Sequence, residues 1–396
     1  MTESAAVAFQ WNPSSFSGWG VYGLNLLLNW SRRQDLTVAC SAPINLKQLD
    51  LDPLELLQLQ PVLQRSEHLC RDLAAHAGRP LQAPFAVLHS LTAEFEPAPA
   101  AHEVRLSGTP SIGVVFTEKT VFSAAERARA QAYPLIVAGS RWNRDALQAA
   151  GVAEVALVMQ GIDPTHFHPA PRAGVFGGRF VIFAGGKPEK RKGQDLVVRA
   201  FRSFAARHPD ALLMTAWGSP WPELAATLNE RPGISPLALT QDGTVDMLAW
   251  TVANGIPAHQ VLHFEPMPNA LMARILREAD VALFTSRAEG GTNLVAMEAM
   301  ACGLPTILSA NTGHLDLIEG GNCYPLRRQN PIHEPGCEGW GDSDPEEIVE
   351  TLEEIYRNRD EAAARGRRAA AEIGQLTWAR QLDRLAEIIR PHLGRA

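Results

Sequence analysis

The chain has 396 residues, 46% of them hydrophobic and 20% charged, with a formal net charge of -7. That length exceeds the size at which one core keeps growing, so two domains are the default, and the composition is that of a soluble globular protein. The acidic balance argues against a nucleic-acid binder, which normally carries a basic face.

No apolar run approaches the roughly 20 residues of a membrane span, and Met1-Thr-Glu-Ser-Ala5 lacks the basic start and apolar core of a signal peptide, so a cytoplasmic location is expected. The five cysteines, Cys40, Cys70, Cys302, Cys323 and Cys337, are odd in number and lack metal-type spacing, which reads as reduced, mostly structural thiols.

From the N-terminus, short apolar runs alternate with longer helical patterns, the signature of a doubly wound α/β domain. Strands are predicted over 6–10, 36–40, 84–89, 111–116, 135–139 and 155–159, with helices over 24–30 and 143–150. A Pro- and Gly-rich break over 167–178 reads as a linker. A second alternation then places strands at 179–184, 211–217, 261–264, 281–284 and 306–308, separated by helices that include 195–207 and 271–279. Residues 345–373 read as helical, and an amphipathic piece over 377–392 is expected to cross back onto the first domain. The domains are therefore placed at 1–170, completed by 377–396, and at 177–375. Each is Rossmann-like, and ligands bind such sheets outside the carboxyl ends of the strands.

The most informative segment is Glu289-Gly-Gly-Thr-Asn-Leu-Val-Ala-Met-Glu298, which runs on into Ala-Met-Ala-Cys-Gly-Leu-Pro305. A buried strand leads into a small-residue loop opened by an acid, and a helix closed by Gly303 and Pro305 follows. Unpaired N–H groups at a helix N-terminus favour a phosphate, and a neighbouring carboxylate takes hydroxyl hydrogen bonds from the same ligand. A sugar nucleotide, with its diphosphate between two hydroxyl-bearing flanks, suits both.

Lys187 and Lys192 lie in Phe183-Ala-Gly-Gly-Lys-Pro-Glu-Lys-Arg-Lys-Gly193, a loop between strand and helix whose glycines let backbone approach a ligand and whose cations offset a diphosphate. Gly18-Trp-Gly-Val-Tyr-Gly23 matches G-x-G-x-x-G, but Asp35 comes too early and Asp50 too late for the acid of a dinucleotide site. It reads as a glycine turn near the phosphates of a ligand held mostly by the second domain, or as a turn packed under Trp19 and Tyr22. Asp50-Leu-Asp52 and Asp342-Ser-Asp344 invite a metal reading, yet Asp52 precedes Pro53 and Asp344 precedes Pro345, which is helix capping. His89 and Glu118 follow apolar runs, where strand ends offer acid/base groups, although satisfied polar residues are the commoner case. Glu94, Glu96, His333 and Glu334 read as surface.

Together these residues carry a resemblance to the retaining glycosyltransferases of family 4, with the two-domain GT-B fold. Gly186-Lys187 through Lys192-Gly193 resembles that family's Gly-Arg and Lys-Gly pair. Gln160-Gly-Ile-Asp163, with Phe167 and Pro169, resembles its Asn-Gly-Val-Asp stretch and Phe-x-Pro. Ser286 to Glu289 with Glu298 to Pro305 resembles its E-x7-E motif, and Gly18 to Gly23 its N-terminal glycine loop. The resemblance implies an α/β GT-B fold with two Rossmann-like domains facing each other across an interdomain cleft.

It also implies roles. Glu298 would bind the donor ribose, Glu289 the transferred sugar, and N–H groups at Gly290, Gly291, Thr292, Asn293 and Leu294 the sugar and distal phosphate. Lys187 and Lys192 would neutralise the leaving diphosphate, with Gly186, Gly18 and Gly20 alongside, and no metal or other cofactor would be needed. Glu118 and His89 stand as acceptor-side candidates for the reacting groups. There are three departures: eight residues rather than seven separate the acids, Lys187 stands where Arg is usual, and Thr117-Glu118 stands where many members have a His.

The expected activity moves a hexose-type sugar from a nucleoside diphosphate, UDP favoured, to a glycan or lipid-linked acceptor hydroxyl in envelope polysaccharide or glycan synthesis. Peripheral contact with the inner face of the membrane fits that role, and a nucleic-acid partner does not. A GT-B phosphorylase, a nucleotide-sugar epimerase, a nicotinamide oxidoreductase and a non-catalytic sugar-nucleotide binding protein are the alternatives.

Overall fold

The computed structural model describes residues 4–98, 104–219, 221–240 and 243–393. The chain divides into two compact units, Met1–Gly161 with Pro268–Ala270 and Leu376–Ala396, and Ile162–Met267 with Leu271–Gln375.

The first unit contains β1 (Ala5–Phe9), α1 (Gly18–Trp30), β2 (Leu36–Cys40), α2 (Pro53–Ala74), β3 (Pro80–Gln82), β4 (Ala86–Leu91), β5 (Arg105–Ser107), β6 (Ser111–Val115), α3 (Ala124–Gln131), β7 (Ile136–Ala138), α4 (Arg141–Ala149) and β8 (Val155–Leu157). Its main sheet has the order β2-β1-β4-β6-β7-β8 and is parallel throughout. Parallel sheets are covered on both faces, so their strands are apolar without alternation. β4 shows this, being buried at every position.

The second unit contains β9 (Phe180–Gly185), α5 (Gln194–Ala205), β10 (Ala211–Ala216), α6 (Pro222–Ala225), α7 (Met247–Ala253), β11 (Val261–His263), α8 (Asn269–Glu278) from Leu271 onward, β12 (Val281–Phe284), α9 (Leu294–Ala301), β13 (Thr306–Ser309), β14 (Tyr324–Leu326), β15 (Gln329–Pro331), β16 (Gly341–Ser343), α10 (Pro345–Arg357) and α11 (Arg359–Ile373). Its sheet, β11-β10-β9-β12-β13-β14, is again parallel. Phe180, Phe201, Phe204, Leu213 and Leu352 form part of the core that joins this sheet to α5 and α10. The last helix, α12 (Trp378–Ile389), belongs to the first unit. There the Trp30 Nε1–H donates to the Leu382 carbonyl at 3.0 Å, and Trp378 stacks on Tyr22 with ring centroids 5.4 Å apart.

Two local expectations need correction, and two further elements had not been read. The first helix starts at Gly18 rather than Leu24, because the extended Ser17 caps it by accepting from the Gly20 N–H at 3.2 Å. The glycines therefore lie within the helix. A Cβ on Gly20 would stand 2.4 Å from that of Ser14, so at least this glycine serves close packing of the helix on the preceding loop. The 345–373 stretch is two helices, broken at Asn358. Helix α2 escaped notice because its face is diluted by polar residues, although Asp52 and Glu55 form a complete capping box ahead of it. The β15–β16 hairpin also escaped notice, its strands being only three residues each.

Gly366 in α11 lies so close to α9's exit that a Cβ would sit 2.1 Å from the Gly303 carbonyl oxygen. In an open helix Gly→Ala stabilises by up to about 1 kcal/mol, whereas overpacking costs about 1–3 kcal/mol. Gly366→Ala is therefore expected to lower the melting temperature in thermal unfolding; an unchanged or higher value would contradict this packing.

Candidate active site

In the second sheet the chain runs outward from β9 to β10 and β11, then returns past β9 to β12. The strand order reverses between β9 and β12, and ligands of open α/β sheets bind beyond the carboxyl ends at such a point. The two strands end there in the two loops that sequence reading singled out.

β9 ends at Gly185, and Gly186 follows with φ +118°, a conformation that favours glycine. A Cβ on Gly185 would meet the Val295 side chain at 3.0 Å, so this strand end packs on the first turn of α9. The chain then makes a single 3-10 turn, Lys190–Lys192, and Gly193 caps α5 with φ +72°. Glycine is required at 193 for a second reason: a Cβ would lie 2.3 Å from the Thr285 carbonyl oxygen, just beyond β12.

Glu289 is the centre of the site. It is 4% exposed, and its carboxylate accepts from Ser286 Oγ at 2.6 Å, Lys192 Nζ at 2.6 and 2.9 Å, Arg191 Nη1 at 3.0 Å and Asn293 Nδ2 at 3.0 Å. Burial alone would raise its pKa, but the Lys192 ammonium and the Arg191 guanidinium prevail and hold it well below the usual carboxylate range. Its backbone is fixed as well, the N–H donating to Thr312 Oγ1 at 2.8 Å and the carbonyl accepting from Gly313 N–H at 3.0 Å.

Asn293 stands immediately before α9. It takes φ +66°, which Asn tolerates better than most side chains, and its Oδ1 caps α9 by accepting from the Ala296 N–H. The Asn293 Nδ2 also faces His314 Nε2 at 3.1 Å, while His314 Nδ1 lies 3.2 Å from the Ser309 carbonyl. Burial pushes the His314 pKa down to about 4 against the pull of Glu289. A neutral ring that donates from Nδ1 and accepts at Nε2 satisfies both neighbours.

The structure thus brings Lys192, Glu289 and Asn293 into direct contact, with Gly186 in the same loop as Lys192. Gly290, Gly291 and Thr292 are buried in the connecting loop, Leu294 opens α9, and Glu298 is 2% exposed in the middle of that helix. Lys187 is more open, with 36% of its side chain exposed, its Nζ 3.8 Å from Glu189 Oε1 and 5.4 Å from the centre of the Trp221 ring. Sequence reading missed Arg191, which bridges Glu289 and Glu189, and His314. Arg191 stood in the Lys-Arg-Lys run, but nothing marked it as facing inward; His314 had no local signal at all.

The remaining candidates lie in the first unit. Gly18 is exposed at the start of α1, and the Gly20 N–H is taken by its cap. His89 does not end its strand, because β4 continues to Leu91. Its Nδ1 lies 2.7 Å from Gln10 Oε1 and its Nε2 3.1 Å from Ser111 Oγ, and burial pushes its pKa down to about 4. Glu118 is half-buried beyond β6. Three acids of the two pairs have structural occupations: Asp52 and Asp344 cap α2 and α10, and Asp342 pairs with Arg287 and Arg231. Among the described residues no group of three or more His, Cys, Asp or Glu is placed to hold a metal ion. Glu334 is no idle surface residue, since it pairs with Lys190 and Arg231.

Residues 123–385 match the family described as "Family 4 Glycosyltransferase in conflict systems". The chain belongs to this family of glycosyltransferases. Among curated relatives, the GDP-mannose-dependent alpha-(1-6)-phosphatidylinositol monomannoside mannosyltransferase of Mycolicibacterium smegmatis is 26% identical over 197 residues, 46% of this chain and 46% of that protein. D-inositol 3-phosphate glycosyltransferase 1 of Catenulispora acidiphila is 27% identical over 285 residues, 69% of this chain and 59% of that protein. The chain spans about half the length of these curated relatives. Among solved structures, Anabaena Alr3699/HepE in complex with UDP and glucose aligns with a TM-score of 0.62 at 13% identity, over 98% of this chain and 100% of that one. The sucrose-phosphate synthase of Thermosynechococcus elongatus gives 0.63 at 14%, over 98% of each chain. These likenesses establish the GT-B fold of this family member, with two Rossmann-like α/β domains.

The buried histidines have a consequence for acid stability. An unfolded imidazole takes its proton near 6.5 and the folded His314 only near 4, so between those values the unfolded state binds more protons. Stability from this group is complete above about 6.5 and is lost as pH falls toward 4, by up to about 3 kcal/mol, and His89 acts with the same sign in its own unit. In thermal unfolding from pH 7 to 4, His314→Gln is expected to flatten the decline; an equal decline in both proteins would contradict a neutral, buried His314.

Proposed function

We propose that this chain is a retaining, metal-independent glycosyltransferase that moves a hexose-type sugar from a nucleoside diphosphate sugar to an acceptor hydroxyl. The observation that carries this reading is the meeting, at the point where the second sheet reverses its strand order, of a cation-bearing turn with the loop that opens α9. Lys192 and Arg191 lie against Glu289, Lys187 stands at the open side of the same loop, and two helices begin there. Cations and helix N-termini aimed at one place suit a diphosphate whose charge grows as its bond to the sugar breaks.

In this reading Glu298 takes the ribose hydroxyls. Lys187 and Lys192, helped by Arg191, stabilise the departing diphosphate and supply what a divalent ion provides elsewhere. The acceptor hydroxyl attacks from the face that the leaving group vacates, and a departing diphosphate oxygen takes its proton, which preserves the anomeric configuration without an obligatory protein base. Glu289 already accepts from four side chains. Its first task is then to aim Lys192 and Arg191, and a sugar hydroxyl reaches it only by displacing one of those donors.

UDP is the favoured nucleotide because the HepE structure, which shares the fold, holds UDP, while the GDP-mannose-dependent relative makes GDP the main competitor. The name of that relative, a phosphatidylinositol monomannoside mannosyltransferase, also supports a glycan or lipid-linked acceptor. No helix among the described residues is long and apolar enough to cross a membrane.

A thermal-shift panel of UDP, GDP, ADP and their sugars, followed by donor hydrolysis with the best binder, tests the assignment. A ligand at well above its dissociation constant raises the melting temperature by mass action. Lys192→Ala and Glu298→Ala are expected to lower turnover by about 100-fold or more with any donor. Wild-type rates in both variants would show that the donor site lies elsewhere.

A further inference from the structure

The turn that carries Arg191 and Lys192 is held from outside by a second set of charges. The Arg287 side chain is fully buried and grips Asp195, in the first turn of α5, through two bonds of 2.8 Å. Its Nε donates to Asp342 on β16 at 2.7 Å, and its Nη1 donates to the Lys190 carbonyl at 2.6 Å. The Arg287 backbone N–H donates to the Arg191 carbonyl at 2.7 Å, and its own carbonyl accepts from Gly341 N–H at 3.0 Å. The turn is therefore bonded to residue 287 at two successive carbonyls. A second tie reaches the same turn, since the Lys190 Nζ lies 2.8 Å from Glu334 Oε2 in the segment between β15 and β16. Arg231 joins the two ties, meeting Glu334 at 3.0 Å and Asp342 at 3.3 Å.

Core stability does not explain such an arrangement. A buried ion pair often contributes less than well-packed apolar residues of the same volume, because both charges are stripped of water. What a planar guanidinium with several fixed partners does supply is direction. The Arg287 guanidinium makes four bonds that locate one carbonyl and two carboxylates, its backbone N–H holds a second carbonyl, and the cations beside those carbonyls are the ones that Glu289 receives.

We propose that residues 329–343 form a clamp on the anion-binding turn, with Arg287, Asp342 and Glu334 as positioning residues that hold Arg191 and Lys192 in place for a diphosphate. The clamp rests on the nucleotide-sugar reading of the site. None of its three members need touch the ligand. They act through the backbone of the turn and the side chain of Lys190.

The test uses the full chain and isothermal titration with UDP and GDP. Asp342 and Glu334 keep 25% and 43% of their side chains exposed, so Asp342→Asn with Glu334→Gln loosens the clamp without emptying a buried site. The double variant is expected to bind the better nucleotide at least roughly fivefold more weakly, with a melting temperature within about 2 °C of wild type. Arg287→Lys, which keeps the charge and loses the fork, should weaken binding in the same direction. In donor hydrolysis the double variant should raise the donor KM more than it lowers kcat. Arg328→Ala, one residue before the segment and paired with Asp344, Glu347 and Glu350 instead of with the turn, should bind as wild type does. Wild-type affinity in the double variant, or a loss that Arg328→Ala shares, overturns the clamp while leaving the nucleotide-sugar reading intact. If the wild-type protein binds none of UDP, GDP and ADP, in the thermal-shift panel or by titration, that reading fails and the clamp with it.

Discussion

One buried carboxylate organises the second domain's functional end. Glu289 is almost wholly removed from water and would be costly there alone, so the loops around it must deliver positive charge and hydrogen-bond donors. Lys192 and Arg191 come from the β9 loop, Ser286 and Asn293 from its own. Each demand has a backbone consequence. Gly193 leaves room for Thr285, Asn293 takes a left-handed conformation to begin α9, and Gly313 has no side chain because a Cβ would collide with the Gly291 carbonyl. Removing the anion would leave two cations facing one another in a partly buried space, which is why the geometry of the turn that carries them depends on it.

Much of this was legible in the sequence. Parallel strands buried on both faces are apolar runs, so most strands of the two main sheets could be read directly, as with Leu36–Cys40 and Val281–Phe284. The acid-opened loop before an apolar helix and the glycine-flanked lysines were equally plain, because helix N-termini and glycine turns have strong local signatures. Proline beside Asp52 and Asp344 likewise announced the caps.

What escaped reading is what depends on distant partners. Arg191 and Lys190 are neighbours in one charged run, yet one points to Glu289 and the other to Glu230 and Glu334. No spacing rule distinguishes them, since a three-residue turn has no periodic face. His314 meets Asn293 and Glu289, and Glu334 meets Lys190 and Arg231, all distant in sequence. The glycines from 18 to 23 differ from the expected turn for another reason: they begin a capped helix, where at least Gly20 is needed for close approach to Ser14. His89 was similarly misplaced, by two residues of strand that continue beyond it.

The central claim is that the end of β9 and the start of α9 together hold a nucleoside diphosphate. A crystal structure of the protein with UDP bound tests it most directly. The account predicts the diphosphate against the 186–193 turn and the N-terminus of α9, with Lys192 reoriented from Glu289 toward phosphate oxygen and Glu298 on the ribose. UDP bound away from both loops, or bound there with its ribose out of reach of Glu298, would contradict it.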